Sequence, residues 1–376
     1  MGCTSAGVPF VHGAMKDIVG QSMWIGFDGL VLPSEVRALF AGGAAGAAVL
    51  FGRNISSVDQ LLALNAAIHA AAPPGLPVTV CVDEEGGRAQ RARALATAWP
   101  PMLRLGDRAA RSPREAAEAA RLSFAVGRAI GLELAALGFD LDFAPVLDVN
   151  SNPANPVIGD RSFARHPEQV VALAGAFAEG IDDTGILPCG KHFPGHGDTT
   201  LDSHLALPRV DHPLARLQAI ELAPFRAHLH LPVMMTAHVV FAALDEAVPA
   251  TLSKKVLDIL RDDWEYDGVL VSDDLEMRAI ADNFGVEEAA ERAIMAGCDA
   301  LLFCHSQEKQ LQAFEALTRR AEQSSALRDR LNQSCERVVR LKRRSLAAAS
   351  KPRPDLLVVG CLAHRVLAQT LAGSPE

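Results

Sequence analysis

Short apolar runs of four or five residues recur along the chain. Between them lie longer stretches in which apolar positions return every three or four residues. The runs are residues 23–26, 47–51, 78–82, 141–144, 186–189, 233–237, 269–272 and 300–304. Most are apolar at consecutive positions rather than alternate ones, as expected of parallel strands covered on both faces. The longer stretches read as amphipathic helices. Ser253 offers an N-cap for a helix carrying Val256, Leu257, Ile259 and Leu260. Residues 115–137 keep a helical pattern up to Gly138, a residue suited to a left-handed cap.

Eight strands alternating with helices predict an α/β fold of the (β/α)8 TIM-barrel type. A doubly wound sheet is the runner-up. The polar residues favour the barrel, because Asp28, Arg53, Asp83, Lys191, His192, His238, Asp273 and His305 all fall at or just after strand ends. A barrel gathers chemistry from many strand ends on one face, whereas an open sheet uses mainly those at its switch point. The expected organisation is one domain, residues 15–345. Residues 346–376, with a linker-like break at Lys351-Pro352-Arg353-Pro354, form a tail too short for a separate domain.

Composition narrows the class. The chain has 376 residues, 49% of them hydrophobic, enough for a large core. Its net charge of −9, with no basic stripe among aromatics, argues against a nucleic-acid partner. The arginines and lysine near positions 339–344 read as a solvated helix end. Seven cysteines, at 3, 81, 189, 298, 304, 335 and 361, include no close pair and lie in apolar surroundings, so buried thiols in a reducing compartment are expected. The first thirteen residues lack a basic start followed by an apolar stretch, and Ala6 stands where an acylation motif wants Ser or Thr. No run is long enough to span a bilayer. A cytoplasmic protein without a membrane partner is expected.

The densest chemistry lies in residues 191–204, where Lys191, His192, His196, Asp198, Asp202 and His204 surround Pro194, Gly195 and Gly197. A site that holds a polar substrate and donates a proton uses such a mixture. Because the run follows the fifth strand, its side chains are expected just past a carboxyl end. Asp202 and His204 are two apart, so both can point the same way. A carboxylate on one imidazole nitrogen fixes the tautomer and frees the other for proton transfer, although the pair alone equally reads as a loop hydrogen bond. Phe193 and Leu201 are the loop's only large apolar anchors. It is therefore expected to be mobile without ligand and to deliver His204 on closing.

Asp273 directly follows the seventh strand, where a carboxylate points into a barrel mouth as a candidate nucleophile. Asp274 suits a helix cap better. Residues 83–91 set Asp83, Glu84, Glu85, Arg88 and Arg91 around Gly86-Gly87 after the third strand. That suits either a bidentate grip on sugar hydroxyls or a turn with surface ion pairs. Arg161, in Gly159-Asp160-Arg161-Ser162-Phe163, is a further binding candidate that alone would read as a surface arginine. His238 and His305 read as packed neighbours of a site.

Taken together, Lys191-His192-Phe193-Pro194-Gly195-His196-Gly197 with Asp202-x-His204, residues 83–91, residues 159–163 and Ser272-Asp273-Asp274 resemble glycoside hydrolase family 3. The likeness runs in order from about Gln21 to about Arg343. Within the family it is most similar to the single-domain bacterial β-N-acetylglucosaminidases (β-hexosaminidases) of peptidoglycan recycling. That resemblance implies a retaining exo-hydrolase for terminal β-linked N-acetylglucosamine. Asp273 matches the nucleophile, His204 the acid/base and Asp202 its partner. Asp83, Arg91, Arg161, Lys191 and His192 match sugar-binding positions. The implied partner is a small carbohydrate, N-acetylglucosaminyl-1,6-anhydro-N-acetylmuramic acid or its muropeptide, with no metal or other cofactor. Glu84 departs from relatives that often carry Gln there, and its direction is open. Other readings are a β-glucosidase or xylosidase of the same family, a metal-dependent hydrolase using His192, His196 and His204, and a non-catalytic sugar-binding protein.

Overall fold

A computed structural model describes residues 14–203, 205–349 and 353–373. The eight expected strands all form and close into one parallel barrel in chain order. They are β1 (Met23–Gly26), β2 (Ala47–Leu50), β3 (Thr79–Val82), β4 (Leu141–Asp142), β5 (Leu187–Phe193), β6 (Val233–Thr236), β7 (Val269–Asp274) and β8 (Ala300–Phe303). The consecutive apolar residues are explained by two cores. On β1, Trp24 belongs to the cluster inside the barrel, while Met23 and Ile25 belong to the one beneath the helices. On β7, Val269 and Val271 face inward and Leu270 outward. Alternation survives as a choice between two apolar neighbours, not between core and water.

Two strands run longer than expected, and this matters for the site. β5 continues through Lys191 and His192 to Phe193, because its pairing with β6 extends to Phe193 and Thr236. β7 continues through Asp273 to Asp274. Lys191, His192 and Asp273 therefore sit on the last residues of the strands themselves, whereas Asp83, Arg91 and Arg161 lie on segments beyond strand ends. The polar residues masked these extensions, since an apolar run was the strand signal.

The helix Pro113–Leu137 starts at Ser112, whose hydroxyl accepts from the Glu115 N–H at 3.2 Å, and ends at Gly138 with φ of 90°. Ser253 caps Lys254–Asp258 by accepting from Val256 N–H at 3.2 Å. The last long helix, Ser325–Ala349, crosses the amino-terminal end of the barrel. Val338 and Leu341 join the interior cluster there. Lys342 donates to Gln21 Oε1 at 2.5 Å and to the Gly46 carbonyl at 2.7 Å. This corrects the reading of residues 339–344 as a solvated end: Lys342 is buried, and burial pushes its ammonium down to about 7. Arg340 and Arg344 do stay at the surface.

A helix at Leu362–Ala372, not foreseen in the tail, packs on Pro113–Leu137. Glu133 ties it down by accepting from Gly360 N–H at 3.0 Å and His364 Nδ1 at 2.8 Å. Cys81, Cys189, Cys298, Cys304 and Cys335 are buried free thiols, as expected; Cys361 is free but only half-buried, against that expectation, and Cys3 lies outside the described residues. Among the described residues, no helix is long and apolar enough to cross a membrane.

Candidate active site

A cavity of about 280 Å³ opens at the carboxyl ends of the strands. That is at the small end of ligand pockets, which span about 300–1,000 Å³, and suits a single sugar ring. Asp83, Arg91, Arg161, Lys191, His192 and Asp273 all line it, so six of the eight expected site residues converge. They come from β5 and β7 and from the segments after β3 and β4, whose ends barrel closure gathers around one mouth. The register of β5 against β6 shifts between Lys191 and Phe193, and Lys191 and His192, neighbours in sequence, both face the cavity.

The floor is a buried ionic network. Lys191 Nζ lies 2.6 Å from Asp83 Oδ1 and 2.5 Å from Glu85 Oε1. Arg161 grips Glu85 through both carboxylate oxygens, each at 2.8 Å. Arg91 reaches the other oxygen of Asp83 at 3.3 Å. Burial by itself would raise both acids, but Lys191 with Arg91 holds Asp83 far below the usual carboxylate range, and Arg161 with Lys191 does the same for Glu85. The acids in turn hold Lys191 and Arg161 above their ordinary values against burial. The network is therefore fully charged, with donors and acceptors fixed before any ligand arrives. Such pre-paired groups can exchange hydrogen bonds with sugar hydroxyls at little reorganisation cost.

His192 is oriented by Asp148, a residue not singled out from the sequence. Asp148 Oδ2 lies 2.7 Å from His192 Nδ1, and Oδ1 accepts from the backbone N–H of His196 at 2.7 Å and of His192 at 3.2 Å. Burial would raise Asp148, but His192 and His196 keep it lowered and ionised. An ionised carboxylate only accepts, so Nδ1 carries a His192 proton. The missed signal was an isolated acid inside the apolar run Val146-Leu147-Asp148-Val149, just past β4. Glu85, which its motif alone gives no separate role, is the counter-ion for two cations that line the cavity, Lys191 and Arg161.

Asp273 stands on the β7 wall and accepts from the Asp274 N–H at 2.8 Å. Asp274 has a supporting part: its Oδ1 accepts from Glu276 N–H at 3.0 Å and Cys304 N–H at 3.4 Å. Burial, with Glu276 and Asp273 nearby, pushes it up to about 7. His238, fully buried, bridges Thr251 Oγ1 and the Asp274 carbonyl, the packed role expected of it. His305 lies at the rim, 3.4 Å from Asp274 Oδ2. Glu84 turns away from the cavity. Its Oε2 accepts from Ala92 N–H at 2.9 Å, and its own N–H donates to Asp142 Oδ1 at 2.9 Å.

The two remaining expected residues are placed differently. His204 lies outside the described residues. Asp202 does not line the cavity; it opens a turn in which its carbonyl accepts from Leu205 and Ala206. Ser203, between them, does line the cavity and is buried. The preceding loop is anchored by more than the two apolar residues counted in the sequence. His196, Thr199 and Ser203 are buried, and Asn155 Nδ2 holds the His196 carbonyl at 2.9 Å. A side chain at Gly197 would place its Cβ 1.7 Å from the Val149 carbonyl oxygen, so glycine is required there by close approach as well as by loop freedom. Among the described residues of the loop and the turn after it, Thr200, Leu201, Leu205 and Ala206 are exposed.

The sequence matches the description "Glycosyl hydrolase family 3 N terminal domain" over residues 18–341. The chain belongs to glycoside hydrolase family 3. It is 43% identical over 289 residues to a β-hexosaminidase of Alkalilimnicola ehrlichii, covering 76% of this chain and 81% of that protein. Its fold is similar to a family 3 β-N-acetylglucosaminidase from Paenibacillus, with TM-score 0.86 and 38% identity over 96% of this chain and 68% of that one. It is also similar to NagZ from Neisseria gonorrhoeae solved with N-trifluoroacetyl-D-glucosamine, with TM-score 0.71 and 34% identity over 88% of this chain and 97% of that one. This family 3 chain is thus a glycoside hydrolase of the β-hexosaminidase group, built on the (β/α)8 barrel expected from its strand pattern.

Proposed function

We propose that this enzyme is a retaining exo-β-N-acetylglucosaminidase with Asp273 as nucleophile. The observation that carries the reading is a single-sugar cavity with Asp273 on one wall and the charged set Asp83, Arg91, Arg161, Lys191 and His192 around the rest. A non-reducing-end sugar held by that set exposes its anomeric carbon to the β7 carboxylate. Asp273 attacks that carbon while the glycosidic C–O bond breaks, and His204, oriented by Asp202, gives its proton to the departing oxygen. Neutral His204 then takes a proton from water, which displaces Asp273 from the anomeric carbon and releases the sugar with retained configuration. No step uses a metal or an organic cofactor.

The proposed natural substrate is N-acetylglucosaminyl-1,6-anhydro-N-acetylmuramic acid, free or peptide-bearing, and the proposed setting is peptidoglycan recycling in the cytoplasm. That substrate is the one implied by the resemblance to the single-domain bacterial β-N-acetylglucosaminidases. A metal site using His192, His196 and His204 is disfavoured by the hydrogen bonds already made. Both ring nitrogens of His196 are engaged, by Thr199 and Ser203, and His192 Nδ1 is held by Asp148.

The test is turnover of an aryl β-N-acetylglucosaminide and the matching β-glucoside by the purified protein, with Asp273→Ala alongside. The first substrate should be turned over much faster, and the variant should lose several powers of ten, on the order of 5–8 kcal/mol of transition-state stabilisation. A 2-fluoro sugar that traps the intermediate should label Asp273. Labelling of another carboxylate, or equal turnover of the plain glucoside, would refute the corresponding part. Activity lost on exhaustive chelation would revive the metal reading.

A further inference from the structure

The loop between His196 and Ser203 closes on itself through a directional set of hydrogen bonds. Thr199 Oγ1 donates its one proton to the His196 carbonyl at 3.1 Å and accepts from Asn155 Nδ2 at 3.2 Å. Its remaining lone pair faces His196 Nδ1 at 2.8 Å, so Nδ1 is the protonated nitrogen. His196 is buried, and desolvation with His192 nearby lowers its imidazole to about 4, leaving the ring neutral. Nε2 must then accept, and the group facing it is Ser203 Oγ at 3.0 Å. The other end of this latch is tied to the barrel, because the His196 N–H donates to Asp148 Oδ1. Asp148 is the carboxylate that also orients His192.

We infer that His196 and Ser203 are positioning residues for proton donation: their hydrogen bond fixes the backbone between Asp202 and His204 relative to the sugar site. This rests on the reading of His204 as the proton donor. Ser203 directly follows Asp202, whose carbonyl opens the next turn, so holding the Ser203 side chain holds the start of that turn. One buried carboxylate, Asp148, thereby references both the sugar-facing histidine and the loop that carries the acid/base. Loss of the latch leaves Asp273 and the sugar-binding network in place and loosens only the loop. Its effect should appear where protonation of the leaving group matters and shrink where it does not.

The experiment measures kcat/KM of the full-length enzyme on two glycosides of N-acetylglucosamine, a 2,4-dinitrophenyl aglycone and an alkyl one. Ser203→Ala removes the donor with little change in volume, and Ser203→Thr keeps a hydroxyl. His204→Ala is run in parallel, and far-ultraviolet circular dichroism checks folding. For Ser203→Ala the loss on the alkyl glycoside should exceed that on the dinitrophenyl glycoside by about tenfold. Ser203→Thr should recover most of it, and Ki for N-acetylglucosamine should stay near the parent value. Equal losses on both substrates, no loss on either, or a Ki raised in step with the kcat/KM loss would overturn the latch. If His204→Ala discriminates between the aglycones and Ser203→Ala does not, only the latch fails. If His204→Ala does not discriminate, the proton-donor assignment fails and the latch with it.

Discussion

Replacing Glu84 by Gln should change how stability depends on pH while leaving the ionic network at the cavity charged as before. Glu84 is 2% exposed, and burial pushes its carboxyl from 4.5 up to about 7. A folded-state value above the unfolded one means that the native protein binds the extra proton between those limits. Stability from this group is therefore full below about 4.5, falls as pH rises through about 7, and is flat above. At about 1.4 kcal/mol per pH unit, the loss across the window is about 3 kcal/mol. Glutamine keeps an oxygen for the Ala92 N–H and carries no charge. Its amide nitrogen then falls on the side where Glu84 Oε1 has no partner, a cost of about 1–3 kcal/mol at every pH. The variant should accordingly be less stable than the parent near pH 4.5 and about as stable or more stable at pH 8.

The assay is urea unfolding of both proteins at intervals from pH 4 to 8, read as the difference between them. Other groups move in the same range. Asp274 rises to about 7, and His196 and His228 fall to about 4, but all are common to both proteins and cancel. Asp142 is the exception: Glu84 helps to raise it, so the substitution eases its ionisation and blunts the difference somewhat. A stability difference that stays constant from pH 4 to 8 would show that Glu84 is charged at neutral pH in the folded protein and would refute the account of its burial.

Three further outcomes follow from the same geometry. Glu85→Ala should cost about 3–5 kcal/mol of folding stability and weaken N-acetylglucosamine binding, because Arg161 loses its bidentate partner in a buried setting; unchanged unfolding would place that network in solvent. Gly197→Ala should lower turnover more than it weakens inhibitor binding, since the added methyl meets the Val149 carbonyl and displaces the loop; steady-state kinetics with wild-type kcat would contradict the contact. Asp202→Asn should hurt less than His204→Ala on poor leaving groups, because the aspartate orients the imidazole while the histidine carries the proton; a comparison on alkyl glycosides showing equal losses would count against that division.

The barrel was legible because its strands answer to two apolar layers, and consecutive apolar residues bounded by turns are a local property of the chain. The same logic brought out Asp83, Lys191, His192 and Asp273, since polar residues at the ends of such runs gather near the barrel mouth, although Asp28, Arg53 and His238, placed alike, do not line the cavity. Ser112, Ser253 and Gly138 were readable as caps because a cap depends on its immediate neighbours. What escaped was set by partners distant in sequence. Lys342 resembles its exposed neighbours Arg340 and Arg344, and only the crossing of its helix beneath the barrel brings it to Gln21, 321 residues away, and to Gly46. Glu84 and Glu85 are adjacent acids in one motif. Pairing decides that Glu85 faces two cations and stays charged, while Glu84 is buried beside Asp142 and its carboxyl is pushed up to about 7. Asp148 acquires its role only when β4 and β5 lie side by side, 44 residues apart along the chain. The loop was judged by its apolar anchors, yet it is held by hydrogen bonds from His196, Thr199 and Asn155 whose partners no pattern announces. Hydrophobic periodicity fixes which residues are buried because burial follows from the face a residue occupies. The ionisation and orientation of a polar side chain depend on which group stands opposite it, and closure of the barrel alone decides that.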